Sequence, residues 1–215
     1  MDVAVIGGHG KIALELLELL ASDGARARGV IRNPDHAPEV EARGGEPVLC
    51  DIEVEDASAL ASAIAGADAV VFAAGAGPGS GPERKRTVDY GGAVKLIEAC
   101  EEAGVLRYLM VSAMGVNFPE QRPEAMRPYY EAKADADAEL RSSGLSYTIV
   151  RPGRLTDDPG TGLISAAERL ERGDGIPRED VAATVRACLD APNTAGKEFD
   201  LLSGETPIAE AVAAI

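Results

Sequence analysis

Short apolar runs alternate along this chain with longer stretches in which apolar residues recur every three or four positions. The runs fall at 3–6, 28–31, 47–50, 69–73, 108–111, 147–150 and 199–202. Helical spacing fills 12 to about 22, 57–64, 86–103, 128–143 and 179–189, with a weaker helix ahead of Gly44. Gly104 and Gly144 stop two of these helices, and Pro128 sits at a first turn, where its missing N–H costs nothing. Most runs are apolar throughout instead of alternating, as a strand must be when its sheet is covered on both faces. The rhythm predicts a doubly wound α/β fold of the Rossmann type: three layers, a parallel sheet between helices, and ligands at the carboxyl ends of the strands. Residues 1–215 read as one such domain, with 154–198 adding a small lobe on the substrate side. Two Gly/Pro-rich stretches, 75–82 and 154–162, leave that carboxyl edge as loops.

The first junction carries the sharpest signal. The run 3–6 ends in Gly7-Gly8-His9-Gly10, and Lys11 and Ile12 open an apolar-periodic helix. Glycine there lets backbone approach a pyrophosphate, and the free N–H groups of the helix start complement its charge. Directly after a strand, this pattern predicts a dinucleotide site at Gly7, Gly10, Lys11 and Ile12. The second run ends in Ile31-Arg32-Asn33-Pro34, where a NAD site usually carries an acid for the ribose 2′-hydroxyl. Arg32, with Asn33 beside it, points to the 2′-phosphate of NADP(H) in preference to NAD(H), although Asp35 comes close behind.

The other strand ends extend the same edge. Asp51, followed by Ile52, can accept from an adenine amino group or cap the next turn. Ala73-Ala74-Gly75 offers small side chains against which a flat cofactor can lie. Ser112 ends the fifth run, and Tyr129 and Lys133 stand four apart on the following helix, hence on one face. An ammonium beside a phenol lowers its pKa, so that Tyr129 can exchange a proton with a carbonyl or alcohol while Ser112 holds the same oxygen. Arg154 reads as the partner of Asp157 or Asp158, with a substrate anion as the alternative.

Composition narrows the partners. The 215 residues carry 36 acids against 21 bases, a net charge of −15, which argues against nucleic acid and against an anionic membrane surface. No apolar run spans a bilayer and no signal-peptide layout opens the chain, so a cytoplasmic protein is expected. Cys50, Cys100 and Cys188 lie too far apart for a metal or redox motif and read as buried small hydrophobes.

Together these residues resemble the short-chain dehydrogenase/reductase superfamily, and more closely its atypical NAD(P)H-binding branch of NmrA-like and biliverdin-reductase-B-like proteins. Gly7-x-x-Gly10-x-x-Ala13 resembles that branch's turn, and Ser112 with Tyr129-x-x-x-Lys133 resembles the superfamily's catalytic set. The segments 147–156 and 176–182 are also similar to the branch. The resemblance implies that Pro152, Gly153 and Leu155 lie beside the nicotinamide and that Lys133 binds its ribose hydroxyls. Extended members carry a catalytic asparagine early in the helix after the fourth strand, where this chain has Asp89.

These features imply an NADPH-dependent oxidoreductase that passes hydride to or from a small carbonyl or alcohol. Two alternatives are a flavin- or biliverdin-type reductase that does not use Tyr129, and a non-catalytic protein that senses NADP(H). An epimerase or dehydratase would need a larger pocket. The loops 114–128 and 154–175 are expected to shape the substrate site, and the chain is expected to act as a monomer or homodimer, with helices 86–103 and 128–143 as the pairing faces.

Overall fold

In the computed structural model of the protein, all residues except Pro78, Arg122 and Arg172 are described. Those three belong to the loop 75–82 and to the two loops expected to shape the substrate pocket, so expectations at these positions lie outside the described residues.

Seven strands form a parallel sheet in the order β3 (Glu46–Leu49), β2 (Arg26–Ile31), β1 (Asp2–Ile6), β4 (Ala69–Phe72), β5 (Arg107–Val111), β6 (Ser146–Pro152) and β10 (Lys197–Ser203). The chain winds outward from β1 to β3 and then returns to the other side of β1. The order reverses between β1 and β4, which is where a doubly wound sheet opens a crevice. Beyond β10, β8 (Leu163–Ala167) and β11 (Thr206–Pro207) add antiparallel strands. The short pair β7 (Leu155–Thr156) and β9 (Ile176–Pro177) stands apart as a second sheet.

Strand β1 shows why the apolar runs are continuous. Val3 and Val5 enter one core cluster, Ala4 and Ile6 the other, and all four are fully buried. The first cluster is roofed by α1 (Lys11–Ser22), α7 (Arg178–Leu189) and α8 (Ile208–Ala213), with α2 (Ala37–Ala42) at its edge. The second is roofed by α3 (Ala57–Ile64), α5 (Gly92–Ala103) and α6 (Arg127–Ser142). Burying a side chain such as Leu16, Leu17 or Leu20 contributes about 1.5–3 kcal/mol, so each helix is held chiefly by its apolar face.

Most predicted elements recur with ends shifted by one or two residues; the third helix, 57–64, recurs unchanged. The helix expected over 86–103 forms as an unbroken helical run that starts four residues earlier and changes pitch on the way. A single turn, α4 (Pro82–Arg84), leads into a π-helical turn, Lys85–Gly91, and only then into α5. Among the described residues no helix is long and apolar enough to cross a membrane.

Candidate functional site

The turn after β1 is dictated by its glycines. Gly7 has φ +81°, and a Cβ there would stand 2.7 Å from Ala74 Cα at the exit of β4. A Cβ on Gly8 would stand 2.6 Å from Gly29 Cα in β2. The Gly7 and Gly8 N–H groups both donate to Val30 O, and the Gly10 N–H donates to Gly7 O at 2.8 Å. Gly10 caps α1 without a side chain, and the first turn holds no acid. The positive helix end is therefore left unneutralised beside bare backbone, an arrangement that fits a pyrophosphate.

A cleft of about 260 Å³ opens beside this turn. Of the residues assigned to the cofactor from sequence, Gly7, Gly10, Arg32, Asp51, Ile52, Ala73, Ala74 and Gly75 are brought together along its wall. His9, His36, Cys50, Glu53, Arg84 and Val88 also line it and were not anticipated. The His9 and His36 rings stack at 3.6 Å, and His9 Nε2 lies 3.0 Å from Glu39 Oε2. Glu53 accepts from Arg84 at 3.2 Å and from the Thr87 hydroxyl at 2.7 Å, and half-exposed Arg32 stands 3.8 Å from it. His9 was within reach of sequence reasoning, since it stands inside the glycine turn; Arg84 was not, because folding of 82–91 brings it to the cleft.

Two expected cofactor residues at this end have local duties. Asn33 accepts from the Asp35 N–H and caps the short turn Pro34–His36, and it does not line the cleft. Asp51 lines the cleft while its Oδ1 accepts from the Glu53 N–H at 2.9 Å, so the turn-capping alternative is realised. Lys95 of α5 steadies the same wall by donating to the carbonyls of Ile52 and Glu55. The three cysteines are free and buried, and burial, aided by Glu55, pushes the Cys50 thiol up to about 11.

The Ser112, Tyr129 and Lys133 set lies at the carboxyl ends of β4 and β5. Ser112 is buried, and its N–H donates to Val150 O. Lys133, only 3% exposed, donates to Val111 O at 3.1 Å and Ala74 O at 3.5 Å, which fixes α6 to the sheet edge where Ala74 lines the cleft. Its ammonium also lies 3.7 Å from Asp89 Oδ1. Here the structure corrects an expectation. Burial, followed by the negative charge of Asp89, pushes the Tyr129 phenol well above its ordinary pKa, instead of Lys133 lowering it. Burial pulls Lys133 down while Asp89 and Asp137 oppose that fall. One turn farther along α6, burial pushes Asp137 up, and Arg151, 3.1 Å away, and Ser112 pull it back.

A family model described as NAD(P)H-binding matches residues 7–192, a span that takes in the glycine turn, the cleft and the Tyr/Lys pair. The chain belongs to this NAD(P)H-binding family. It is 45% identical over 213 residues to YhfK of Bacillus subtilis (strain 168), named an uncharacterised sugar epimerase, with 99% of each chain covered. A Bacillus halodurans structure provisionally named as an NAD-dependent epimerase/dehydratase superposes with TM-score 0.95 at 40% identity, covering both chains fully. ChuY, an anaerobilin reductase from Escherichia coli O157:H7, superposes with TM-score 0.79 at 25% identity, covering 94% of this chain and 97% of ChuY. These neighbours agree with the resemblance to the atypical short-chain dehydrogenase branch.

In this NAD(P)H-binding protein the remaining expected residues sit away from the cleft lining. Lys11 and Ile12 open α1, and the Lys11 side chain pairs with Asp157 at 2.7 Å beside a second cavity. Pro152 is buried at the end of β6, Gly153 packs on Leu202, and Leu155 begins β7. Arg154 does not pair with Asp157 or Asp158: it donates to Asp174 O at 2.8 Å, while Asp157 takes Lys11 and Arg178. Fully buried Asp200 ties the two expected substrate loops together, accepting from Asn117 Nδ2 at 2.8 Å and from the Leu170 N–H at 3.0 Å. Arg169 reinforces the tie through Asn117 O and the face of Phe118. Sequence reasoning missed Asp200, because a strand acid reads as solvent-facing until its neighbours are known.

Proposed function

We propose that the protein is an NADPH-dependent oxidoreductase acting on a small carbonyl or alcohol. The observation that supports this reading best is the lysine bridge. Lys133 reaches the carbonyls that end β4 and β5, one helical turn from Tyr129, so the Tyr/Lys pair adjoins the end of the cleft lined by Ala74 and Gly75. Gly7, Gly10 and the start of α1 would hold the pyrophosphate, and Arg32 with Arg84 would hold a 2′-phosphate in place of Glu53. The bound nicotinamide supplies or accepts the hydride. Tyr129 exchanges the proton with the substrate oxygen, Ser112 orients that oxygen, and Lys133 holds the ribose hydroxyls.

The test is a fluorescence titration with NADPH and NADH on wild type, Arg32→Ala and Tyr129→Phe, followed by turnover on a carbonyl and quinone panel. A preference for NADPH that Arg32→Ala loses, with turnover lost and binding kept in Tyr129→Phe, is the expected result. Turnover unchanged in Tyr129→Phe overturns the acid/base assignment, and binding of neither nucleotide overturns the cofactor reading. Tight binding with no turnover supports the NADP(H)-sensing alternative.

A second reading, reduction of a flavin or tetrapyrrole with solvent as the proton source, is favoured by the likeness to ChuY. Flavin reductase activity that survives Tyr129→Phe would select it. The epimerase names of relatives suggest a third chemistry, in which the cofactor returns to its starting oxidation state and nucleotide is not consumed.

A further inference from the structure

We propose that Glu53 sets the cofactor selectivity of the cleft: its carboxylate is a built-in anion that competes with a 2′-phosphate for Arg32 and Arg84 and offers a bare ribose 2′-hydroxyl an acceptor, so it narrows the preference for NADPH over NADH. The inference rests on the cofactor reading above and deepens it. Arg32 follows β2 and Glu53 follows β3, on the side of the sheet that takes the adenosine half of a nucleotide in a doubly wound fold. Arg84 arrives from α4, and all three side chains line the cleft.

The carboxylate is held from several sides. Arg84 donates to Oε2 from Nε and from one terminal nitrogen, each at 3.2 Å, and the Thr87 hydroxyl donates to Oε1 at 2.7 Å. Half-exposed Arg32 stands 3.8 Å from the same Oε2, a charge contact longer than a hydrogen bond. The loop beneath is pinned. The Glu53 N–H donates to Asp51 Oδ1, the Val54 and Glu55 N–H groups donate to Asp51 O, and Lys95 holds the carbonyls of Ile52 and Glu55. The acid is therefore a fixed part of the cleft wall, and only its side chain is free to swing.

Charge decides what this arrangement selects. A 2′-phosphate brings roughly −1.5 to −2 charges. To reach both guanidiniums it must displace the carboxylate from Arg84 and then tolerate it nearby, a repulsion that grows where the wall excludes water. A 2′-hydroxyl meets no such cost: it donates to Glu53, as to the acid of a NAD site, and the arginines keep their partner. Arg32 alone reads as a strong signal for NADP(H), and Glu53 cancels part of that signal from across the cleft.

The deciding experiment needs no substrate: NADPH and NADH are titrated by fluorescence into wild type, Glu53→Gln, Arg32→Ala and the double variant, with far-UV circular dichroism reporting the fold. Glutamine keeps the shape of the side chain and an acceptor for Thr87, and removes the charge. Glu53→Gln should bind NADPH about tenfold more tightly, with NADH unchanged or weaker, and the gain should vanish in the double variant. Displacement of NADPH by 2′,5′-ADP and by 5′-AMP should show the same widening of the ratio, which confines the effect to the 2′ position. If Glu53→Gln does not fold, Thr87→Val, which removes the hydroxyl that holds Oε1, should widen the NADPH-to-NADH ratio by about threefold or more. An unmoved ratio overturns the proposal. Weaker NADPH binding in Glu53→Gln also overturns it, and shows that the carboxylate instead sets the arginines in place for the phosphate. NADPH binding lost in Arg32→Ala beside an unmoved ratio in Glu53→Gln removes this inference alone and leaves the cofactor reading standing; binding of neither nucleotide by wild type overturns both.

Discussion

At Gly7 the chain turns with φ +81° and passes so close to Ala74 that a methyl group has no room. Gly7→Ala should therefore lower stability by about 1–3 kcal/mol and weaken nucleotide binding, read from thermal melting and NADPH titration. A melt unchanged from wild type would show that the turn can relax. This requirement was legible in the sequence, because a glycine directly after a strand has few other reasons to be there. Lys133 was legible only by half. Its spacing from Tyr129 placed both on one helix face, but spacing says nothing of a third partner. Burial, followed by the charge of Asp89 forty-four positions away, pushes the phenol up instead of down.

At the scale of elements, strands and helices with one clear apolar period were predictable, and those whose shape depends on a neighbour were not. The stretch 86–103 has helical spacing throughout, yet its first turns widen into the π turn that buries Val88 and Asp89. Strand β8 and helix α8 went unread because β8 carries only two large apolar residues, Leu163 and Ile164, and α8 spans only six residues. The loop between β7 and β8 is held by the start of α7. Asp180, buried at 2% exposure, accepts from the N–H groups of Thr161 at 3.0 Å and Gly162 at 2.8 Å, and Gly162 O accepts in turn from the Ile208 N–H that starts α8. Asp180→Ala should free these amides, costing about 1–3 kcal/mol locally, and speed their hydrogen exchange by about tenfold or more while amides in β1 and β4 keep wild-type protection. Unchanged exchange at Thr161 and Gly162 would mean the loop is held by other contacts.

Across the whole molecule, a buried line of charge runs from the site toward the surface: Asp89, Lys133, Asp137, Arg151, and then half-buried Glu198 with Arg141. Burial pushes the Glu198 carboxyl up, but Arg141 and Arg151 hold it below the ordinary glutamate value. A depressed acid stabilises the fold above its unfolded value and loses that contribution as pH falls through its folded value. The stability difference between wild type and Glu198→Gln should thus be greatest above about pH 4.5 and shrink as the solution is acidified, measured as paired melting temperatures. Asp137 and Asp200 have the opposite sign: burial raises both, so they favour the folded state most at low pH and lose that contribution as pH rises through their raised values. A constant difference from pH 3 to 7 would remove Glu198 from the acid limb.

The sequence by itself determined the layered α/β fold, the strand–turn–helix at Gly7 to Lys11, and the identity of the side chains at most strand ends. Those depend on local periodicity and backbone freedom, which short stretches of chain carry in full. The tertiary structure alone decided which charges meet. It set Arg84 at the cleft, drew Arg154 to Asp174 O, hid Asp200 beneath two loops, and put Asp89 against Lys133. Electrostatics inside a protein depends on distance and desolvation, and neither exists until distant segments pack.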